Sequence, residues 1–156
     1  MSSILLILSL WLHALATVVM IGYYLLLSLV YLPYLSQAFS GAAFGAALDD
    51  ISTRMRPWLY GSWLVFIVTG IYLMFDDTYY LGVGNFSNAW SLLMLAKHGL
   101  IMGMVGLGAF LNITLKTELA APSPHSEPLG RIQLTVHALS VSGVLVLLLT
   151  VMAQAQ

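Results

Sequence analysis

Four long apolar stretches, separated by short polar or Pro-rich segments, dominate the pattern of the chain. A helix needs roughly 20 apolar residues to cross the hydrocarbon core of a bilayer. The pattern therefore predicts spanning helices over residues 4–32, 57–75, 89–115 and 130–151. Since the links between them are short and no internal repeat occurs, we expect an all-α fold. It would be a single transmembrane domain over residues 1–156, folded as a four-helix up-down-up-down bundle.

Residues 36–55, between the first two predicted spans, have a weaker apolar pattern and carry charge. This pattern is typical of a short helix that lies in the membrane interface. We expect the first span to end near Pro33, and we expect Pro57 to begin the second, because proline is favourable at the first helical position. The apolar positions at helical spacing are Phe44, Ala47, Ile51 and Met55, and the charged positions are Asp49, Asp50, Arg54 and Arg56.

Composition decides the class of protein. Apolar residues make up 60% of the chain and charged residues only 7%, whereas about a quarter of a soluble domain is charged. This charge deficit indicates an integral membrane protein, and the net charge of -1 gives no reason to expect a nucleic-acid partner. The chain has no cysteine, which excludes disulfides and thiolate metal sites. No nucleotide-binding loop or Ser/His/Asp set favours an ATP-driven pump or a hydrolase.

The distribution of basic residues predicts the orientation in a cell membrane. Lys and Arg occur in or beside the first and third connections, whereas the second connection begins with Asp76 and Asp77 and has neither. Because cytoplasmic loops are enriched in Lys and Arg, we expect a multi-pass protein with both termini extracytoplasmic. The basic residues concerned are Arg54, Arg56, Lys116 and Arg131.

Three histidines, His13, His98 and His137, fall inside predicted spans, where an ionisable side chain is costly and is a candidate for function. His13 and His98 each lie about nine residues into parallel spans, so we expect both about 13 Å below the outer surface. His137 is expected about 4–5 Å deeper. The first and third spans are diagonal in such a bundle. His13 and His98 would then face each other and could supply both axial ligands of a haem iron.

His137 has a second interpretation, and so do the other histidines. Gln133 and Ser140 share its helical face, so His137 could form hydrogen bonds between helices instead of binding a cofactor, or could replace one of the two ligands. In the extreme case all three histidines only bridge helices, and the chain is a cofactor-free structural subunit. His125 lies in a Pro/Ser loop, and we expect it to be solvated.

Lys97 adds a cation one position from His98, which on a helix directs it about 100° away from the histidine. Its long side chain could snorkel towards the nearer membrane surface. Alternatively, its ammonium could pair with a haem propionate or with a substrate carboxylate. The sequence leaves both alternatives open.

A copper site is the main alternative to haem. Met94, His98 and Met102 lie at i, i+4 and i+8 on one helical face, and Met20 occurs in the first span. Thioether and imidazole groups suit Cu(I). Methionine is also a common filler of irregular cores, so the same residues are explained by packing alone.

Six short motifs occur along nearly the whole chain: Trp11-Leu12-His13, Met20-Ile21-Gly22, Tyr31-Leu32-Pro33, Arg54 to Pro57, Thr69-Gly70, and Trp90 followed by Lys97. In these motifs the chain resembles the CopD-like (copper resistance protein D) membrane proteins, which are distantly similar to the HemJ-type protoporphyrinogen oxidases. The resemblance implies a four-helix fold and the handling of haem or porphyrin on one branch and of copper on the other.

The chain departs from these families at two positions. Met20 stands where the relatives usually have Trp, and Tyr34 stands where HemJ-type proteins have Arg. We therefore do not carry protoporphyrinogen oxidation over to this chain. The helix-1 histidine, His13, and the helix-3 lysine, Lys97, are the matching site residues that the resemblance retains.

The combined prediction is a membrane protein that holds one haem b between His13 and His98 and transfers electrons, as an oxidoreductase component. With no soluble domain, it would need partners within the lipid bilayer, either other membrane redox subunits or further copies of itself.

Overall fold

The computed structural model describes residues 3–119 and 127–155. These residues form helices joined by short loops, and no strand occurs among them. The elements in chain order are α1 (Ser3–Leu26), a π-helical turn (Leu27–Tyr31), α2 (Leu32–Ala38), α3 (Gly41–Asp76), α4 (Ala89–Leu119) and α5 (Glu127–Gln154).

Within the described ranges, four helical segments are long and apolar enough to cross a membrane. They are Ser3–Ala38, Ala43–Asp76, Ala89–Thr117 and Gly130–Gln154. Many large apolar side chains on their outer faces are exposed, as expected for surfaces that contact hydrocarbon instead of water. The prediction of an all-α, four-helix membrane protein is confirmed.

The predicted end of the first span at Pro33 is wrong. The chain stays helical to Ala38, because Pro33 lies in the first turn of α2 and directly follows the π-helical turn. A proline inside a helix removes one hydrogen bond and crowds the carbonyl one turn earlier. A wider π turn relieves that crowding without ending the helix. The first span therefore projects farther at this end than residues 4–32 would.

The short interfacial helix predicted for residues 36–55 is not a separate element. Most of that segment forms the first part of α3, which continues through Pro57 without a break. Phe44 and Leu48 are almost completely buried in the core of the bundle, so tertiary packing holds this part of α3 in line with the span. The hydrogen bond that Pro57 cannot donate is a local loss, which this packing outweighs.

The side-chain contacts define an antiparallel arrangement. α1 packs against α3 on one side and α5 on the other, and α4 packs against α5. In the contact between α1 and α5, Gly143 lets the two helices approach closely, since a Cβ there would lie only 3.1 Å from the Ile21 side chain. α1 and α4 are diagonal, as the up-down-up-down topology predicts. α3 and α4 make few direct contacts, and this seam is open.

Two names are used below for the ends of the bundle. The terminal end is the end at which Ser3, Asp76 and Gln154 lie, and the basic end is the opposite one, at which Ala38 and Gly41 lie. The Tyr79 carbonyl accepts a hydrogen bond from the Asn88 amide (2.8 Å) and so steadies the loop between α3 and α4 at the terminal end.

Candidate functional site: the groove between α3 and α4

The open seam between α3 and α4 contains a cavity of about 690 Å³, which we call the groove. Cavities of roughly 300–1,000 Å³ are typical of small-molecule and cofactor sites. Along α3 the groove extends from Ser52 to Met74, and along α4 from His98 to Leu115. At 1.5 Å per residue these distances are roughly 33 and 26 Å, close to the thickness of the hydrocarbon core of a bilayer.

His98 opens onto the terminal end of the groove. Its Nδ1 lies 2.6 Å from the carbonyl oxygen of Met94, one turn earlier on α4. A carbonyl only accepts, so Nδ1 is the donor, which leaves Nε2 of this exposed side chain as the ring nitrogen available to a ligand. In histidines that bind metals, a hydrogen bond from the other ring nitrogen to a carbonyl fixes the tautomer and the orientation of the ring.

His13 is held by α3. Its Nδ1 lies 2.9 Å from the Thr69 hydroxyl oxygen, and that hydroxyl already donates to the Val65 carbonyl at 2.6 Å. Thr69 therefore accepts from Nδ1–H, and in the neutral imidazole the Nε2 of His13 carries the lone pair. The imidazole stacks on the ring of Phe66 with centroids 4.3 Å apart. It also fills the space beside Gly70, where a Cβ would lie 3.2 Å from the ring.

The two histidines approach the same part of α3 from different sides. Phe66 and Gly70 line the groove onto which His98 opens, and His13 packs against the same two residues without lining the groove. The two imidazoles therefore do not face each other directly across an open core. The Phe66 ring separates His13 from the groove, which the sequence could not indicate.

His137 lies nearer the basic end of the bundle than His13 does. It forms a hydrogen bond through Nδ1 with the buried Ser28 hydroxyl on the π-helical turn. From residue 13 to residue 28 the chain rises roughly 22 Å. The expected depth difference of about 4–5 Å is therefore wrong, because the helices extend well beyond the predicted spans at the basic end. His137 cannot share a cofactor with His13 in this arrangement and is a helix-bridging residue.

Lys97 is buried, with a relative exposure of 9%. Its stem packs into the bundle, and whether its ammonium reaches towards the nearer membrane surface stays a prediction. It forms no hydrogen bond or ion pair with any residue that the structure describes, but it lies within electrostatic range of His13. Burial of an unpaired cation is energetically costly, so Lys97 is a candidate for a functional role.

Three methionines line the groove with His98: Met74, Met102 and Met104. Met104 also borders a small void in the core, and the buried Met20 lines that void but not the groove. Met20 is therefore not part of the His98 site. Met74 was not a candidate in the sequence, because it lies on a different helix and only the fold brings it near.

The basic end of the groove contains polar residues that the sequence analysis did not select. Arg56 lines it and contacts Asp49 through one Nη at 3.4 Å. Asn112 also lines it, and its buried Oδ1 has no hydrogen-bond partner. An amide inside an apolar span was the one sequence signal that could have indicated this part of the site.

Among the described residues there is no group of three or more His, Cys, Asp or Glu side chains that could hold a metal ion. His125 lies outside the described residues. No protein-family model, curated protein or solved structure matches the chain.

Proposed function

We propose that this chain is a membrane haem b protein that transfers electrons, with His98 as an axial ligand inside the groove. One observation carries the proposal. His98 has its Nδ1 tied to the Met94 carbonyl and its Nε2 available to a ligand, and it opens onto an apolar cavity of about 690 Å³. The donor chemistry and the cavity size both fit a haem.

His13 is the proposed second ligand. Its Nδ1 is fixed by Thr69, and its Nε2 carries the lone pair of the neutral imidazole, as for His98. Ligation requires the Phe66 ring, which stacks on His13, to move aside. Lys97 lies within electrostatic range of His13 and would offset the negative charge of a propionate, which would in turn reduce the cost of burying the ammonium.

A haem bound here supplies one-electron redox chemistry, and the chain binds and orients it and excludes water from it. Since the chain contributes only membrane helices, partner redox subunits or further copies would deliver and remove the electrons. The basic residues at one end of the bundle support a cell-membrane orientation with both termini extracytoplasmic. The CopD-like resemblance implies haem or porphyrin handling on one of its two branches.

The test is the absorption spectrum of the detergent-purified protein, oxidised and then reduced with dithionite. We expect a Soret band that shifts on reduction and resolved α and β bands. His98→Asn should remove most of the bound haem, and His13→Asn should shift the spectrum towards a five-coordinate form. His137→Asn is the matched control and should retain the wild-type spectrum. Haem retention by both His13→Asn and His98→Asn would refute the proposal.

Copper binding is a second candidate, because His98, Met102 and Met74 all line the groove. These are borderline and soft ligands that suit Cu(I). Metal analysis separates the two functions. Copper at about one equivalent, lost in Met102→Leu and without porphyrin absorption, would favour this candidate, whereas iron with porphyrin would exclude it. A preparation with neither would favour a cofactor-free structural subunit.

A further inference from the structure

We propose that the basic end of the groove binds the headgroup of an anionic glycerophospholipid, with an acyl chain lying along the groove between α3 and α4. This site is separate from the haem proposal. Arg56 lies 14 residues before Gly70 on α3, and Asn112 lies 14 residues after His98 on α4. Each is therefore roughly 21 Å along its helix from the level of His98. That separation is greater than the reach of haem propionates from an iron bound at His98.

Arg56 supplies the positive charge. It lies at the boundary where the apolar run of residues 57–75 begins, which is the depth of lipid headgroups. Its side chain is 26% exposed, and its contact with Asp49 uses a single Nη at 3.4 Å. The remaining N–H groups of its guanidinium have no partner among the residues that the structure describes. A partly buried guanidinium with free donors is suited to bind a phosphate oxygen.

Asn112 supplies the second observation. Its Oδ1 is buried without a hydrogen-bond partner and lines the same cavity as Arg56. A buried unpaired amide costs free energy unless something inside the groove satisfies it. A molecule with an acidic phosphate for Arg56 and a neighbouring hydroxyl for Asn112 satisfies both groups. Phosphatidylglycerol has this combination.

The shape of the groove indicates the rest of the ligand. Between its two ends the lining is mostly apolar, and several lining residues, including Ile67 and Val105, are exposed within it. The stretch of roughly 21 Å between Arg56 and the level of His98 can hold an acyl chain, and the His98 end of the groove stays available for a haem. Basic pockets between membrane helices are general sites for anionic headgroups. A second copy of the chain would cover the apolar part but would not provide a phosphate.

The experiment is native mass spectrometry of the full-length protein, titrated with dioleoyl phosphatidylglycerol or dioleoyl phosphatidylcholine. Wild-type protein should bind the anionic lipid more tightly. Arg56→Gln should weaken phosphatidylglycerol binding about fivefold, which is the effect of removing one basic residue near the headgroups. Arg56→Lys should retain most of the affinity, and Asn112→Leu should also weaken binding.

Arg54→Gln is the matched control. Arg54 is two residues away, is 76% exposed and is paired with Asp50, so its loss should leave lipid affinity within twofold of wild type. Equal affinity for the two lipids, equal effects of the two arginine variants, or competition by millimolar inorganic phosphate would refute the lipid site. So would a dimer that excludes lipid. The haem spectrum should be unchanged in Arg56→Gln, so failure of one proposal is distinguishable from failure of the other.

Discussion

The polar groups at two seams of the bundle differ in their hydrogen-bond partners. At the seam between α1 and α5, the Ser140 hydroxyl donates to the Tyr24 carbonyl at 2.8 Å, and Ser28 bonds His137. At the seam between α3 and α4, His98 bonds only its own helix, and Asn112 has an unpaired buried oxygen. At the seam between α1 and α5 the polar groups form hydrogen bonds between helices. At the seam between α3 and α4, His98 and the Asn112 oxygen form no hydrogen bond to another helix.

The difference has a physical basis in membrane packing. Without a hydrophobic effect between helices in lipid, association depends on close packing and on hydrogen bonds between helices. The seam between α1 and α5 has close packing at Gly143 and hydrogen bonds between helices at Ser28 and Ser140. On α4, Gly108 lines the groove, and a Cβ there would lie 3.1 Å from the Tyr24 hydroxyl of α1. This glycine therefore brings α4 close to a side chain of α1 and not to α3.

The largest expected effect on stability is in the packed part of the bundle. Leu139 is completely buried, so Leu139→Ala should lower the free energy of unfolding by about 2–4 kcal/mol through lost contacts and a cavity. Ile67 lines the groove and is 51% exposed. Ile67→Ala should cost less than about 1 kcal/mol, because few contacts are lost. Equal costs, measured by unfolding in mixed detergent, would mean that the groove is closed in the folded protein.

Replacement of Lys97 tests the buried charge. In protein without bound cofactor, Lys97→Met should raise the free energy of unfolding by about 1–3 kcal/mol, because it removes an unpaired cation from the interior. Lys116→Met, at an exposed position, should change it by less than about 0.5 kcal/mol. A destabilised Lys97→Met would show instead that the ammonium has a partner in the folded protein.

The smallest expected effect on stability distinguishes His137 from His98. His137→Leu should destabilise the protein by about 1 kcal/mol through loss of the bond to Ser28, and Ser28→Ala should add little to it. His98→Leu should change cofactor-free stability by less than about 0.5 kcal/mol, since its hydrogen bond is within α4. A thermal-shift double-mutant cycle measures the coupling. A strong cost for His98→Leu would assign this residue to packing instead of ligation.

Several features of the fold and site were predictable because they depend on local composition. The four spans, their alternating directions and the diagonal relation of α1 and α4 follow from apolar length and short connections. The continuity of α3 through Pro57 did not follow, since it depends on the burial of Phe44 and Leu48 by other helices. The ends of helices at prolines depend on tertiary packing as much as on the proline itself.

The sequence by itself determined that the chain is a bundle of apolar helices with three histidines and one lysine within its spans, because charge and hydropathy are properties of the residues. Only the tertiary structure decided what those residues contact. It placed His137 against Ser28, His13 behind Phe66, Lys97 in the interior and His98 at an open groove. The reason is that rotation of a helix about its axis and the spacing between helices are set by contacts among all four, which no single stretch of sequence contains.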